Sequence, residues 1–299
     1  MKGKFSKTFI FPKGKYPSPN KIFDKLTTEQ RAFLQTKQLD AQRTTTEWLD
    51  FFKDLQTFTI SNGVRQANLG PLVLWITIPL AFANFVRFIM HSEEPMSGAY
   101  FLMGFMGLII TWFVTNEIST HMHHRLFPDY FQTVIIPLVA TLHEETPEEA
   151  PLHLKIDLRQ QMDKSAHMIS NDAAYRVFDW QMLRVSGELL NAIRLNLDIR
   201  IHNQLRLRKF KSKRRVFILL DLEYSKKKHQ QLQLAGANQQ VYKIKHKEKP
   251  KKHALRIRRQ MKFKNKFFNF YQYTDVPFAE LVALMRNGYQ ATLKAQDEA

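Results

Sequence analysis

The sequence predicts a membrane α + β protein: a two-helix transmembrane hairpin followed by a cytoplasmic antiparallel β-sandwich or small β-barrel domain with flanking helices. Three observations predict this fold class. Two long apolar runs lie close together in the first third of the chain, apolar and polar residues alternate through much of the second half, and the 299-residue chain has a net charge of +18. Long apolar runs are typical of membrane spans, and alternation with a period of two is typical of half-buried strands.

The chain begins with two segments of different character. Residues 1–26 combine lysine, proline and scattered aromatic residues without a helical or strand period, which predicts a basic extended arm. Residues 27–62 predict an amphipathic helical segment, in which Thr44 and Glu47 have the spacing of a capping box. One face of this segment carries four apolar residues: Trp48, Phe51, Phe52 and Leu55.

Residues 69–116 predict the transmembrane hairpin, with spans at 69–90 and 98–116. About 17 to 25 apolar residues are needed to cross the hydrocarbon layer as a helix, and both runs approach that length. Arg87 lies near the end of the first run, where its guanidinium can reach the headgroups. Trp75 and Trp112 lie near the run ends that would face the same side, as interfacial aromatic residues do. The alternative is a buried helical hairpin in a large core.

Charge asymmetry predicts the orientation of the hairpin. The turn between the runs contains Glu93 and Glu94 but no lysine or arginine, whereas the first 25 residues contain seven lysines. The positive-inside rule then places both termini in the cytoplasm, which predicts a multi-pass protein of the cell (inner) membrane. The chain has no cysteine, which excludes disulfides and thiolate metal sites.

Residues 117–151 predict a juxtamembrane segment and an acidic linker, HEETPEEAP at 143–151. The run TVIIPLVATL at 133–142 is too short to cross a bilayer and is interrupted by Pro137, so we expect a buried or edge strand there.

Residues 152–275 predict the basic antiparallel β domain. Alternating apolar residues at 152–158, 193–207 and 255–263 indicate strands with one buried face. The phase of this alternation slips within 177–189, which predicts a β-bulge. The run VFILLDLEY at 216–224 begins apolar on both faces and predicts a central strand.

Residues 276–299 predict a C-terminal helix and tail. Pro277 suits a first helical turn. Leu281, Leu284 and Met285 would share one side of that helix.

The positive charge is concentrated in the predicted β domain, where residues 184–266 contain 25 Lys or Arg and 5 Asp or Glu. Like charges repel one another, so a surface of this kind requires counterions or an anionic partner. Anionic membrane lipids, an acidic protein, a homo-oligomer, nucleic acid or a small anion are the candidates, with nucleic acid less favoured because no RNP, KH or zinc-finger pattern is present. The predicted anion-binding residues are Arg206, Arg208, Lys209, Lys211, Lys213, Arg214, Arg215, Arg256 and Arg258.

Candidate chemistry is sparse. His121, His123 and His124 form one dense histidine group that could supply at most two or three metal ligands, so interfacial polar residues are the simpler interpretation. Asp221 and Glu223 would share a strand face, which permits an acid/base pair but is better explained by pairing with neighbouring cations. We therefore predict no catalytic residues, no metal and no cofactor, and favour a protein that is not an enzyme.

Two functional hypotheses follow. The first is an integral membrane anchor or scaffold, not an enzyme, whose basic cytoplasmic β domain contacts anionic lipid or an acidic partner. The alternative is a membrane-acting effector whose β domain senses an anionic ligand and drives association of the transmembrane helices.

Overall fold

The chain contains two compact units, and one antiparallel sheet lies wholly in the second. The first unit comprises Met1–Thr27 and Asp54–Leu126, and the second comprises Thr28–Lys53 and Phe127–Ala299. The computed structural model describes eight residues between positions 79 and 109 and these stretches: 19–61, 127–159, 164–172, 174–206, 208, 211–226, 242–266 and 276–293.

The described helices, in chain order, are α1 (Pro19–Lys25), α2 (Thr28–Thr36), α3 (residues 45–61), α4 (Ile136–Glu145), α5 (Lys164–His167) and α6 (Phe278–Leu293). A π-helical turn, Phe131–Ile135, leads into α4. The strands are β1 (Gln38–Arg43), β2 (Leu152–Asp157), β3 (Met168–Asn171), β4 (Tyr175–Leu189), β5 (Ile193–Arg206), β6 (Lys211–Ser225), β7 (Lys243–Glu248) and β8 (Lys252–Lys266).

All eight strands belong to one sheet with the order β1-β2-β4-β5-β6-β8-β7, and β3 pairs separately with β4. Every pairing is antiparallel. The prediction of a sandwich or small barrel is therefore wrong. Alternation shows that one face of each strand is buried, but it does not show whether a second sheet or a layer of helices buries that face.

Helices cover the apolar face of the sheet. Tyr224 in β6 donates its hydroxyl hydrogen to the carbonyl of Gly288 in α6 at 3.2 Å. A Cβ atom built on Gly288 would lie 2.6 Å from a methyl group of Leu222, so α6 approaches this face closely. Near the start of α4, the ring of Tyr130 contacts that of Trp180 at a centroid distance of 5.8 Å. The apolar residues of the strands are thus buried in a two-layer arrangement.

The strand predictions in the C-terminal half are confirmed. β2, β5 and β8 cover the three alternating segments, and β6 is an interior strand paired with β5 and β8. The predicted bulge is also present, because the pairing of β4 with β5 shifts register between Gln181 and Leu183.

The helical predictions are confirmed in part. Thr44 and Glu47 form the expected capping box, in which each side chain accepts a hydrogen bond from the other residue's backbone N–H, at 2.9 and 3.3 Å. The C-terminal helix is present, and its three predicted inward residues are buried. The strand predicted at 133–142 is wrong, because this segment belongs to the π-helical turn and α4, with Pro137 in the first turn.

The prediction of a transmembrane hairpin in a multi-pass membrane protein is wrong. In the part of the chain that the structure describes, no helix is both long and apolar enough to cross a membrane. An apolar run in a sequence indicates that its side chains are excluded from water. It does not show whether those residues lie in a membrane or in a protein core. In the described part of the chain, the fold is instead mainly one eight-stranded antiparallel sheet with few helices.

Most of the two predicted spans falls outside the described residues, including Trp75, Arg87 and Trp112. The eight residues that are described there are helical, and among them four large apolar side chains are exposed: Phe82, Met90, Met106 and Ile109.

Candidate anion-binding face

The sheet has one covered and one exposed face, and strand alternation assigns each residue to one of them. The exposed face carries the even-numbered residues of β5 and β8 and the odd-numbered residues of β6, all of them exposed or half-buried where burial is described. The covered face carries their neighbours, which are buried in β5 and β6. Charged side chains on the exposed face of these three strands are therefore neighbours in space.

Six cationic residues lie together at one end of the exposed face, which we call the basic end: Arg206, Lys211, Lys213, Arg215, Lys262 and Lys264. The register brings them together, because Lys213 lies opposite Lys264 and Arg215 lies opposite Lys262. Arg206 pairs with Lys211 on the other side of β6. Adjacent strands are about 4.8 Å apart, and same-face residues along one strand are about 6.7 Å apart, so the six charges form a dense array.

The charges of the basic end are not neutralised by the residues that the structure describes. Among the described residues, no carboxylate lies within salt-bridge distance of these six side chains. The pKa of Lys213 is lowered, first by the positive charge of Arg215 and then by desolvation and the three cations Arg206, Lys262 and Lys264. The direction of this shift is that of electrostatic repulsion between the Lys213 ammonium and the neighbouring cations.

The opposite end of the same face has its charges paired. Arg256 donates two hydrogen bonds to the carboxylate of Asp221, at 2.6 and 2.9 Å. Glu223 accepts hydrogen bonds from Lys249 at 3.0 Å and Lys252 at 3.1 Å. The interpretation of Asp221 and Glu223 as partners of neighbouring cations is confirmed. The exposed face is therefore asymmetric: Asp221 and Glu223 bind several cations at this end, whereas none of the six cations of the basic end has a carboxylate partner among the described residues.

Two apolar residues of β6 lie between the two ends of the exposed face. Phe217 and Leu219 lie on the exposed face of β6 and are half-buried. The guanidinium of Arg258 lies 5.2 Å from the centre of the Phe217 ring, within the range of a cation–π interaction. The basic end is thus bordered by an aromatic ring with a cation over one face.

The structure separates the predicted anion-binding residues into several environments. It brings Arg206, Lys211, Lys213 and Arg215 together, whereas Arg256 is held by Asp221 and Arg258 lies over Phe217. Arg208 is exposed between β5 and β6, and Lys209 falls outside the described residues.

Arg214 lies on the covered face, away from its sequence neighbours Lys213 and Arg215. Its side chain is buried, and burial lowers its pKa to about 10. A run of consecutive basic residues in a strand necessarily alternates between the two faces. Sequence reasoning missed Lys262 and Lys264, although their alternation with apolar residues in β8 was the signal that could have placed them.

A cavity of about 670 Å³ lies beside the paired end, lined by residues that include Glu188, Arg194, Glu223, Lys226 and Lys252. Its lining contains charges of both signs, and Glu223 already accepts two lysine hydrogen bonds. The cavity therefore does not extend the unneutralised surface of the basic end.

Neither a metal site among the described residues nor a related protein indicates a function for this chain. Within the described stretches, no group of three or more His, Cys, Asp or Glu residues could hold a metal ion, and His121, His123 and His124 lie outside those stretches. Comparison of the chain with protein-family models, with curated proteins and with solved structures gave no match.

Proposed function

We propose that this protein is a non-enzymatic binding protein whose basic end contacts an anionic macromolecule. The observation that carries the proposal is the array of six cations on three adjacent strands, with no described carboxylate partner. The lowered pKa of Lys213 supports it, because the cluster opposes its own protonation.

A macromolecular anion would relieve this repulsion. Each basic residue close to an anionic lipid surface contributes about 1 kcal/mol, and each phosphate neutralised on a nucleic acid releases condensed counterions. An array of about six cations is therefore sufficient for measurable binding at low salt that weakens steeply as salt rises. An acidic protein surface would provide the same charge complementarity.

Phe217 provides specific support for nucleic acid as the anion. A ring beside cationic residues gives a base a surface on which to stack, which neither a lipid headgroup nor a carboxylate requires. Arg258 already lies over the ring, so a base would compete with that guanidinium or stack on it. Replacing Phe217 by Leu should then weaken binding to an oligonucleotide while leaving binding to anionic vesicles unchanged.

A charge-reversal experiment tests the proposal. The variant Lys213→Glu/Lys262→Glu changes two exposed-face residues at the basic end, and Lys245→Glu/Lys247→Glu makes the same change in net charge on the exposed edge strand β7. Three probes cover the candidate anions: a labelled single-stranded oligonucleotide, phosphatidylserine vesicles and a polyglutamate peptide. Circular dichroism would check that both variants fold.

We expect the full chain to bind at least one probe in a salt-dependent manner. The basic-end variant should bind at least about tenfold more weakly, and the edge-strand variant should lose much less, because local charge density determines the contact. Equal losses in the two variants would show a general effect of net charge and contradict the proposal. The proposal would also be overturned if the full chain bound none of the three probes at low salt.

The proposal involves no transmembrane hairpin, because no helix among the described residues is long and apolar enough to cross a membrane. It depends on the charge of the sheet alone.

A further inference from the structure

Two histidines on the last two strands of the sheet lie next to each other at its edge. In the pairing of β7 with β8, His246 lies opposite Leu255 and Glu248 lies opposite His253, so both imidazoles are on the covered-face side. Nε2 of His246 is 3.3 Å from Nδ1 of His253, and the two rings are tilted by 33° with centroids 5.4 Å apart. The two facing nitrogens can therefore share one ligand.

Their separation matches two ligands of one metal ion. Imidazole nitrogens bind Zn²⁺ at about 2.0 to 2.1 Å, and in a tetrahedral site two such nitrogens are about 3.3 to 3.4 Å apart. A direct N–H···N hydrogen bond between the two rings would have a similar length. The observed 3.3 Å fits coordination at least as well as hydrogen bonding.

Burial makes one of the two ligands rigid and leaves the other accessible. His253 is only 3% exposed, and its Nε2 has no hydrogen-bond partner among the described residues. Packing, rather than a second hydrogen bond, therefore fixes the direction of its Nδ1. His246 is exposed on the edge strand, so an ion can reach the pair from solvent. A preorganised ligand loses little entropy on binding.

We propose that His246 and His253 bind a divalent transition-metal ion, with water completing its coordination. Cu²⁺, Ni²⁺ and Zn²⁺ are the suitable ions, because imidazole favours them over Mg²⁺ and Ca²⁺. No third His, Asp or Glu within the described stretches completes a larger metal cluster, so we expect a weaker site than a structural zinc centre. This site is separate from the basic end.

One carboxylate of β7 lies opposite His253 in the strand pairing, where its charge would act on a bound ion without coordinating it. Glu248 lies opposite His253 and forms an ion pair with Lys226. A bound dication would compete with Lys226 for Glu248. Replacing Lys226 by Gln should therefore tighten metal binding, and replacing Glu248 by Gln should weaken it.

Titration calorimetry with each metal ion tests the site in the full chain. His246→Ala is the main variant, because this exposed edge position should tolerate the change. His202→Ala is the matched control on the exposed face, and a triple variant of His121, His123 and His124 to Ala controls for the other histidine group. For Cu²⁺, electron paramagnetic resonance would report the number of coordinated imidazole nitrogens independently of affinity.

We expect the metal affinity of His246→Ala to fall by more than the roughly 10- to 100-fold that is typical when a residue hydrogen-bonded to a metal ligand is removed, because His246 is itself a ligand. The His202 control and the triple variant should each retain one site. The Cu²⁺ spectrum of the unaltered protein should show two imidazole nitrogens from this site. Equal affinity of His246→Ala and the unaltered protein would overturn the proposal. Loss of binding in the triple variant alone would also overturn it and assign the ion to the other histidines.

Discussion

Replacement of Gly288 by Ala tests how closely α6 packs on the sheet. A glycine inside a helix costs about 1 kcal/mol relative to alanine, so helix propensity alone predicts that the change stabilises the protein. The structure predicts the opposite sign. The added Cβ would lie 2.6 Å from Cδ1 of Leu222, and within 3.6 Å of methyl groups of Leu220 and Ile257.

The cost follows from how tightly those neighbours are held. Carbon atoms prefer separations of about 3.5 to 4.0 Å, so either Leu222 or the helix must move by about 1 Å. Leu222 is 1% exposed and Leu220 and Ile257 are fully buried, so little free space is available for the displaced methyl group. Overpacking of this kind costs about 1 to 3 kcal/mol, which exceeds the gain in propensity. We expect net destabilisation of about 1 kcal/mol, corresponding to a fall in Tm of about 2 to 4 °C.

A double-mutant cycle makes the assay decisive. Urea unfolding of Gly288→Ala in the native background should show the loss, whereas in a Leu222→Ala background the same change should stabilise the protein by about 1 kcal/mol. The coupling between the two sites would then be about 2 kcal/mol. Stabilisation by Gly288→Ala in both backgrounds would show that the helix does not approach the sheet as described, and would refute the packing argument.

Three further predictions concern polar groups. Burial lowers the pKa of Lys37 from 10.5 to about 8, so between these two pH values the unfolded chain binds more protons than the folded protein. The free energy of unfolding should therefore rise by about 1 to 3 kcal/mol as the pH increases from about 8 to 10.5. Urea unfolding of Lys37→Met should not show this rise. Hydrogen bonds from Lys249 and Lys252 lower the pKa of Glu223 in the folded protein. The Glu223 carboxylate therefore stabilises the fold, by less than about 1 kcal/mol, above its unfolded-state pKa, and this stabilisation is lost as the pH falls through its folded-state pKa. Glu223→Gln should lose less stability than the unaltered protein when the pH is lowered below about 5. Trp48 is fully buried, and its indole N–H donates a 2.8 Å hydrogen bond to a backbone carbonyl of β2. Trp48→Phe should therefore lower the free energy of unfolding by about 1 to 3 kcal/mol. An unchanged midpoint of denaturant unfolding would contradict this prediction.

Strands with a regular alternation could be predicted from the sequence, and those with partner-dependent pairing could not. β5 alternates without interruption from Ile193 to Arg206, so local pattern alone indicates both its type and its buried face. β1 has only the residues QLDAQR and no comparable period, yet all six pair with β2. β7 is rich in lysine and is a strand because it lies against β8. Tertiary pairing overrides weak local preference in both.

The helices at 45–61 and at the C-terminus were predicted correctly, whereas the helical segment predicted over 27–62 is interrupted by β1, which is a strand because it pairs with β2. The segment 133–142 is apolar but too short to cross a bilayer, which predicted a strand, whereas it belongs to the π-helical turn and α4. Burial of Leu138, Val139 and Leu142 stabilises that helix, and the sequence gives no direct sign of this packing.

The candidate site divides in the same way. Composition and a period of two are local properties, so they establish that the C-terminal half is basic and that its strands have one apolar face. Strand pairing and packing were needed to show that Arg214 is buried while Lys213 and Arg215 join Lys262 and Lys264 on the exposed face. The reason is physical: the density of charge depends on which strands are neighbours and in which register, and these are fixed by pairing across the sheet rather than by position along the chain.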